Sequence, residues 1–131
     1  AKDRKGVYVD VFTDHFYEPG GFTIRPQMKE VLDEIVAELR PRFAEDYTVQ
    51  VVGHTDDAPI RTPVMDSNWD LSATRAARVT RYMIESGIDS ERMQVLGKAH
   101  TEPILPHRNP DGSPNELNRS KNRRIEIRIE Y

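Results

Sequence analysis

Four short stretches of the chain have the hydrophobic patterns of β-strands. Apolar and polar residues alternate at 7–12 and again at 125–130, which is the period-two pattern of a half-buried strand. Residues 48–53 are short, β-branched and nearly all apolar, which predicts a central strand. A third, weaker alternation at 93–97 predicts a further strand. We therefore expect a sheet of four strands.

Two longer stretches repeat apolar residues every three or four positions, which predicts amphipathic helices. The first stretch is 28–39 and the second is 68–86. Ser67 and Asp70 stand in the arrangement of a capping box at the start of the second helix. Gly87 follows its last apolar residue, in the place where helices often end on a residue with positive φ.

The order of these elements is strand, helix, strand, helix, strand, loop and strand. That order predicts an α/β sandwich in which two main helices pack on one mixed four-stranded sheet. Residues 1–15 would hold the lead-in and the first strand. Residues 101–121 are rich in Pro, Asn, Ser and Gly and predict a long surface loop, with room for a short helix near Leu117. We expect residues 1–131 to form one domain, because domains typically have roughly 100–200 residues.

The composition narrows the classes of function. The chain has no cysteine, which excludes disulfides, thiolate metal sites and a cysteine nucleophile. Its formal net charge is −3, and its one basic cluster, at 119–124, runs into the last strand, so nucleic acid is not an expected partner. No apolar run approaches the roughly 20 residues that cross a bilayer. The opening residues 1–5 do not have the character of a secretory signal peptide.

The carboxyl end of the central strand is the candidate binding site, because ligands of open α/β sheets tend to bind there. That end reads Gly53-His54-Thr55-Asp56-Asp57, and the second helix begins near Asn68 with free backbone N–H groups. Arg75 follows Asn68 by two helical turns, on nearly the same face. Asp56 and Arg75 together would suit a zwitterion, since arginine can bind a carboxylate through two hydrogen bonds.

Less specific roles compete for the same residues. Asp56 could cap its own loop by accepting a backbone N–H, and Arg75 could be an ordinary surface arginine. His54, Asp56 and Asp57 invite a metal site, but neighbours on a strand point to opposite faces, and catalytic zinc usually takes three well-placed ligands. We therefore expect no metal and no cofactor. Trp69 could stack on a sugar, although packing beneath the loop is its expected fate.

Enzyme chemistry has little support in the sequence. The common hydrolase motifs and phosphate-binding glycine loops do not occur. Asp56 and Asp57 are adjacent on a loop, so they are poorly placed to flank a glycosidic bond. We expect no catalytic residue. A metal-dependent amidase or glycosidase, and a protein–protein module in which Asp56 and Arg75 are structural, remain as alternatives.

Several ordered motifs carry more specific information. They are Gly53-His54-Thr55-Asp56, Asn68-Trp69-Asp70-Leu71-Ser72, Arg75-Ala76 with Val79, then Gly87, Arg92 and Gly97, and Asn122-Arg123-Arg124-Ile125-Glu126. From about Phe16 onward, the chain resembles the OmpA C-terminal-like (OmpA/MotB) family in these motifs. The resemblance implies noncatalytic binding of peptidoglycan through its stem peptide and amino sugar, with diaminopimelate as the usual recognition element.

The same resemblance assigns roles to individual residues. Asp56 would hold the ammonium of diaminopimelate, and Arg75 would hold its carboxylate. The rest of the ligand-binding set that it implies is Thr55, Asn68, Leu71 and Arg124.

A finer resemblance concerns the Thr-Asp-Asp-x-Pro-Ile stretch and the longer loop before Trp69. Both are similar to the B subunits of flagellar stators. This implies a periplasmic domain that anchors a membrane protein to the cell wall, expected as a homodimer with a membrane-embedded partner subunit. A wall tether of the outer-membrane porin or lipoprotein type is the alternative. The chain departs from the family at 98–100 and in a long loop at 108–120, which affects the rim of the site.

Overall fold

The computed structural model describes residues 6–18 and 20–131. In chain order its main elements are β1 (Gly6–Phe12), α1 (Pro26–Leu39), β2 (Thr48–His54), α2 (Asn68–Glu85), β3 (Met93–Gly97), α3 (Glu116–Asn122) and β4 (Arg124–Glu130). Short 3-10 turns occupy Thr13–His15, Arg40–Arg42 and Ser90–Arg92. The prediction for residues 1–5 lies outside the described residues.

The four strands form one mixed sheet in the order β1-β4-β2-β3. β4 runs antiparallel to both β1 and β2, whereas β2 and β3 are parallel. The predicted sheet and its central strand β2 are therefore confirmed. The carboxyl ends of β1, β2 and β3 lie at one end of the sheet, beside the start of β4.

α1 and α2 supply apolar side chains to one core against the sheet, as their spacing predicts. The buried core includes Met28, Leu32, Val36 and Leu39 from α1, Ala76, Val79 and Met83 from α2, and Val49, Val51, Ile125, Ile127 and Ile129 from the sheet. Ser67 caps α2 by accepting a hydrogen bond from the backbone N–H of Asp70. Gly87 has a φ of 119° directly after the helix, as predicted.

Two glycines allow α2 to approach the sheet closely at the end that carries the candidate site. A Cβ atom at Gly53 would lie 2.1 Å from the carbonyl oxygen of Ser72. A Cβ atom at Gly97 would lie 2.7 Å from the backbone nitrogen of Ala73. Because only hydrogen fits at these two positions, the first turns of α2 sit directly over the ends of β2 and β3.

The predicted surface loop at 101–121 is partly helical. α3 occupies Glu116–Asn122 and begins where the Asn115 side chain accepts a hydrogen bond from the backbone N–H of Asn118. The predicted short helix near Leu117 is thus confirmed. The loop ends at residue 115 and not at residue 121 as predicted. α3 gives only a weak pattern because it has seven residues and its Leu117 is 81% exposed.

Candidate ligand-binding site

A cavity of about 450 Å³ opens where the ends of β1 and β2 meet the first turns of α2. Ligand sites commonly enclose roughly 300–1,000 Å³, so this cavity has the size of a small-ligand site. Five residues that the sequence singles out line it: Thr55, Asp56, Asn68, Leu71 and Arg75. Its charged lining residues are Asp14, Glu18, Asp56, Arg75, Glu116 and Arg123.

Arg75 is a buried cation without a carboxylate partner. Its side chain projects from α2, and the residue is only 5% exposed. The Nε atom donates to the carbonyl oxygen of Gly21 at 2.6 Å, and the guanidinium lies 4.4 Å from the centre of the Tyr17 ring. No salt bridge to Arg75 forms anywhere in residues 6–18 and 20–131. Burial lowers the pKa of Arg75 to about 10, because the charged form loses hydration.

Tyr17 places an unsatisfied polar group beside Arg75. Its hydroxyl is buried and has no hydrogen-bond partner among the described residues. Burial raises the pKa of Tyr17, and the nearby Arg75 charge offsets only part of that rise. Buried polar groups normally find a partner, so an unpaired hydroxyl beside a guanidinium that lacks a carboxylate partner among these residues makes this wall of the cavity a candidate site for an anionic group.

Asp56 forms two contacts inside the same cavity. Its Oδ1 atom accepts a hydrogen bond from the backbone N–H of Ala58 at 2.9 Å, which is the turn contact that the less specific interpretation expects. Its Oδ2 atom accepts a charged hydrogen bond from Arg123. The carboxylate is therefore fixed in orientation while it lines the cavity.

Arg123 gathers three carboxylates around one guanidinium. It makes a two-bond contact with Asp14, at 2.8 Å to each oxygen, and donates to Glu116 at 2.9 Å and to Asp56. These carboxylates raise the pKa of Arg123, with Asp14 the strongest contributor. Because three negative groups share one positive group, this side of the cavity keeps an excess of negative charge, opposite in sign to the Arg75 side.

Thr55 and Asn68 shape the loop that carries Asp56. The side-chain amide of Asn68 donates to the carbonyl oxygen of Ala58 at 2.8 Å. The hydroxyl of Thr55 donates to the backbone carbonyl oxygen of Asp56 at 2.8 Å. The backbone N–H of Thr55 donates to the carbonyl oxygen of Ala99 at 2.8 Å. Leu71 supplies a buried apolar patch of the wall.

Arg124 does not line the cavity, contrary to the expectation from the family motif. Its guanidinium lies on the opposite face of the sheet and donates to the carbonyl oxygens of Asn122 and Glu102. Strand alternation explains the difference, because Ile125 faces the core and Arg124 must face away. Arg123 precedes the strand, shares the side of Ile125 and reaches the cavity. The alternation of apolar and polar residues in β4 was therefore enough to predict that Arg123, and not Arg124, faces the cavity.

His54 and Asp57 are also directed away from the cavity. His54 pairs with Glu126 at 3.0 Å on the other face of the sheet. Asp57 accepts from Arg108 and Arg119 at 2.8 Å each and so ties the 98–115 loop and α3 to the strand end. Burial alone would raise the pKa of Asp57, but these two arginines hold it below its ordinary value. Across the described residues, no group of three or more His, Cys, Asp or Glu side chains is arranged to hold a metal ion.

Known proteins resemble this chain over most of its length. A sequence model of the OmpA family matches residues 16–123. Motility protein B from Bacillus subtilis is 30% identical over 130 residues, a match that covers 95% of this chain and 45% of that protein. The chain spans about half the length of the curated relatives it matches.

In the part of the chain that the structure describes, no helix is long and apolar enough to cross a membrane.

Two solved structures share the fold. The cell wall anchor of the T6SS from Pseudomonas aeruginosa is 28% identical with a TM-score of 0.80, and the match covers 95% of this chain and 81% of that one. The periplasmic domain of MotB from Helicobacter pylori is 25% identical with a TM-score of 0.78, with 98% and 84% covered. Both agree with the mixed four-stranded sheet and its helices.

Proposed function

Because the chain belongs to the OmpA family, we propose that it binds peptidoglycan without altering it chemically. The recognised group is a stem-peptide residue that carries an ammonium and a carboxylate on one carbon, as diaminopimelate does. The sizes match, since a cavity of about 450 Å³ holds one amino-acid head group with room for the chain that leaves it. The domain thereby holds a larger protein to the cell wall.

The observation that carries this proposal is the unpaired charge of Arg75 in the cavity. A buried charge is costly unless a partner of opposite sign compensates it, and none of the described carboxylates forms a salt bridge with Arg75. The charge of Asp14 offsets only part of the effect of burial. A ligand carboxylate would supply that partner and accept hydrogen bonds from the guanidinium. The Tyr17 hydroxyl lies beside the same position and would donate a further bond. Hydrogen bonds to charged groups contribute about 1.5–3 kcal/mol each.

The ammonium of the ligand has its own binding side. Asp56, Asp14 and Glu116 surround Arg123 with more negative charge than one guanidinium neutralises. An ammonium placed against Asp56 would complete this cluster. The cavity therefore carries opposite charges on its two sides, which suits a zwitterion better than a simple anion or cation.

The wider setting follows from the relatives and is part of the proposal. A MotB-type stator subunit is the proposed parent protein, with this domain in the periplasm, a homodimeric arrangement and a membrane-embedded partner subunit. Two copies on one continuous wall would bind more firmly than one, because the second attachment becomes intramolecular. A porin or lipoprotein tether would use the same cavity and differ only in its membrane attachment.

Co-sedimentation with purified sacculi tests the proposal. The variants are Arg75→Met and Asp56→Asn, with Arg81→Met as the matched control, since Arg81 lies on the same helix and is exposed. All must retain the circular dichroism spectrum of the wild type. We expect the wild type and Arg81→Met to pellet while the two cavity variants stay in solution. Equal pelleting of all four proteins would overturn the proposal, and release of soluble wall fragments would favour the hydrolase instead.

A further inference from the structure

Three aromatic rings form a row on the surface near the cavity. Trp69 is 51% exposed, so it does not pack beneath the loop as expected from the sequence. Its ring meets the edge of His100 at 6.5 Å between centroids, and His100 lies 6.4 Å from His107. We call Trp69, His100 and His107 the aromatic row. Tryptophan is enriched at binding interfaces because it combines a large apolar ring with a polar N–H group.

The aromatic row is held in place by the backbone around it. Ala99 has a φ of 51°, a left-handed conformation that residues other than glycine rarely adopt. The backbone N–H of Ala99 donates to the Ser72 hydroxyl at 3.1 Å, and the carbonyl oxygen of Ala99 accepts from the backbone N–H of Thr55. A conformation of this kind persists where surrounding contacts fix it, as these two hydrogen bonds do for the residue before His100.

The third ring is fixed by hydrogen bonds on both nitrogens. Nε2 of His107 lies 3.0 Å from the carbonyl oxygen of His100. Its Nδ1 lies 3.0 Å from Nδ2 of Asn122, whose Oδ1 accepts from the backbone N–H groups of Ile104 and Leu105. Those two donors orient the Asn122 amide, so its nitrogen must face His107. A ring held this firmly loses little entropy when a ligand covers it.

The aromatic row is connected to the cavity through adjacent residues. Trp69 directly follows Asn68, which lines the cavity. His100 directly follows Ala99, whose carbonyl binds Thr55 of the cavity wall. These two sequence neighbours place the aromatic row beside the cavity wall, so a ligand that extends out of the cavity past Asn68 would meet it.

We propose that the aromatic row binds a pyranose ring of the glycan, in continuation of the stem peptide held in the cavity. This inference rests on the proposed function. A pyranose presents an apolar face of C–H groups, and aromatic rings cover such a face while the hydroxyls at its rim remain in water. Continuity with the cavity selects a saccharide, because the sugar is covalently attached to the stem peptide. If neither saccharide ligand changes the emission of Trp69, the aromatic row does not bind sugar, and a protein partner is the alternative occupant.

The chain has one tryptophan, so its fluorescence reports directly on the aromatic row. The folded protein is titrated with a disaccharide–peptide muropeptide, with the free stem peptide, and with chitotetraose. We expect the muropeptide and chitotetraose to change the emission of Trp69, whereas the free stem peptide leaves it nearly unchanged. Calorimetry measures the affinities of the variants.

Trp69→Ala should weaken muropeptide binding by about three- to tenfold and leave stem-peptide binding within about twofold. The matched control is Phe43→Ala, since Phe43 is 77% exposed and does not line the cavity. Unchanged emission with a bound muropeptide, together with Arg75-dependent binding, would overturn the aromatic row and leave the proposed function intact. Failure of the wild type to bind either peptide ligand would overturn both.

Discussion

Two arginine-centred regions lie at the same end of the sheet on opposite faces. On the helix side, Arg75 occupies the cavity with no carboxylate partner among the described residues. On the other side, Arg124 lies between Asp10 at 3.7 Å and Glu126 at 4.0 Å, and it donates to two backbone carbonyls. Both arginines are buried to a similar extent. They differ in whether a carboxylate of the described residues lies within salt-bridge distance.

The comparison separates a structural cluster from a candidate binding site. Arg124, Arg128, Glu126 and His54 satisfy most of one another's charge within the protein. Such a cluster stabilises the sheet and presents little unmet charge to a ligand. The Arg75 region instead leaves its positive charge without a carboxylate partner from the described residues inside a cavity, which makes it the candidate for ligand binding.

The largest expected effect on binding comes from replacing Arg75 with methionine. Arg75→Met should weaken muropeptide binding by about 30-fold or more, because a hydrogen-bonded charge pair in a buried site is lost. Its free energy of unfolding should change by less than about 1 kcal/mol, since the substitution also removes an unpaired buried charge. Binding is measured by calorimetry and stability by urea denaturation.

Arg124→Met should show the reverse pattern. Its free energy of unfolding should fall by about 1–3 kcal/mol, because Asp10 and Glu126 lose their partner. Muropeptide affinity should stay within about twofold at a temperature where the variant is folded. If Arg124→Met abolished binding while Arg75→Met did not, the assignment of the two regions would be reversed.

Arg123→Gln should have an intermediate effect on binding. Without its guanidinium, Asp14, Asp56 and Glu116 repel one another, and the orientation of Asp56 is lost. We expect muropeptide affinity to fall about tenfold, less than for Arg75→Met, because the carboxylate-binding side remains. Arg40→Gln is the control, since Arg40 is exposed and lies outside the cavity. An unchanged affinity would show that Arg123 does not position Asp56.

Acid should destabilise the cluster side without disabling the cavity. Burial, with the Arg124 charge second, lowers the pKa of folded His54 below its ordinary value of 6.5. As the pH falls below about 6.5, His54 therefore becomes protonated in the unfolded chain before it does in the folded protein. This favours unfolding, so the free energy of unfolding decreases as the pH falls. Glu126 has a pKa lowered from 4.5, despite its burial, so its contribution is lost only at lower pH.

We expect the Tm to fall by a few degrees between pH 7 and pH 5, and His54→Gln to reduce that fall. Arg75 stays charged across this range, since its pKa is about 10, so muropeptide affinity of the folded protein should persist. Thermal melts and calorimetry at matched ionic strength measure the two quantities. A pH-independent Tm in the wild type would contradict the role given to His54.

The sequence predicted much of the fold because its patterns are strong and local. The alternating strands, the apolar stripes, the cap at Ser67 and the turn at Gly87 each follow from short-range chemistry. Asp56 and Arg75 were predicted to share a site because strand ends and helix starts meet at one edge, and the structure places them in one cavity.

The rest of the cavity depends on contacts between distant parts of the chain. Asp14 lies 109 residues from Arg123, and no local pattern joins them. Tyr17 comes from a segment without regular structure, so its place beneath Arg75 could not be read from periodicity. Arg124 was a different case, because the alternation of β4 already assigned it to the far face.

The smallest effect concerns Asp57, which differs from its neighbour Asp56 much as Arg124 differs from Arg75. Asp57 is fully engaged by Arg108 and Arg119, and it does not line the cavity. Asp57→Asn should lower the free energy of unfolding by about 0.5–1 kcal/mol, because partly exposed ion pairs contribute little. Stem-peptide affinity should stay within about twofold, whereas Asp56→Asn should reduce it strongly. Equal losses from both substitutions would mean that negative charge at the loop, and not the orientation of one carboxylate, attracts the ligand.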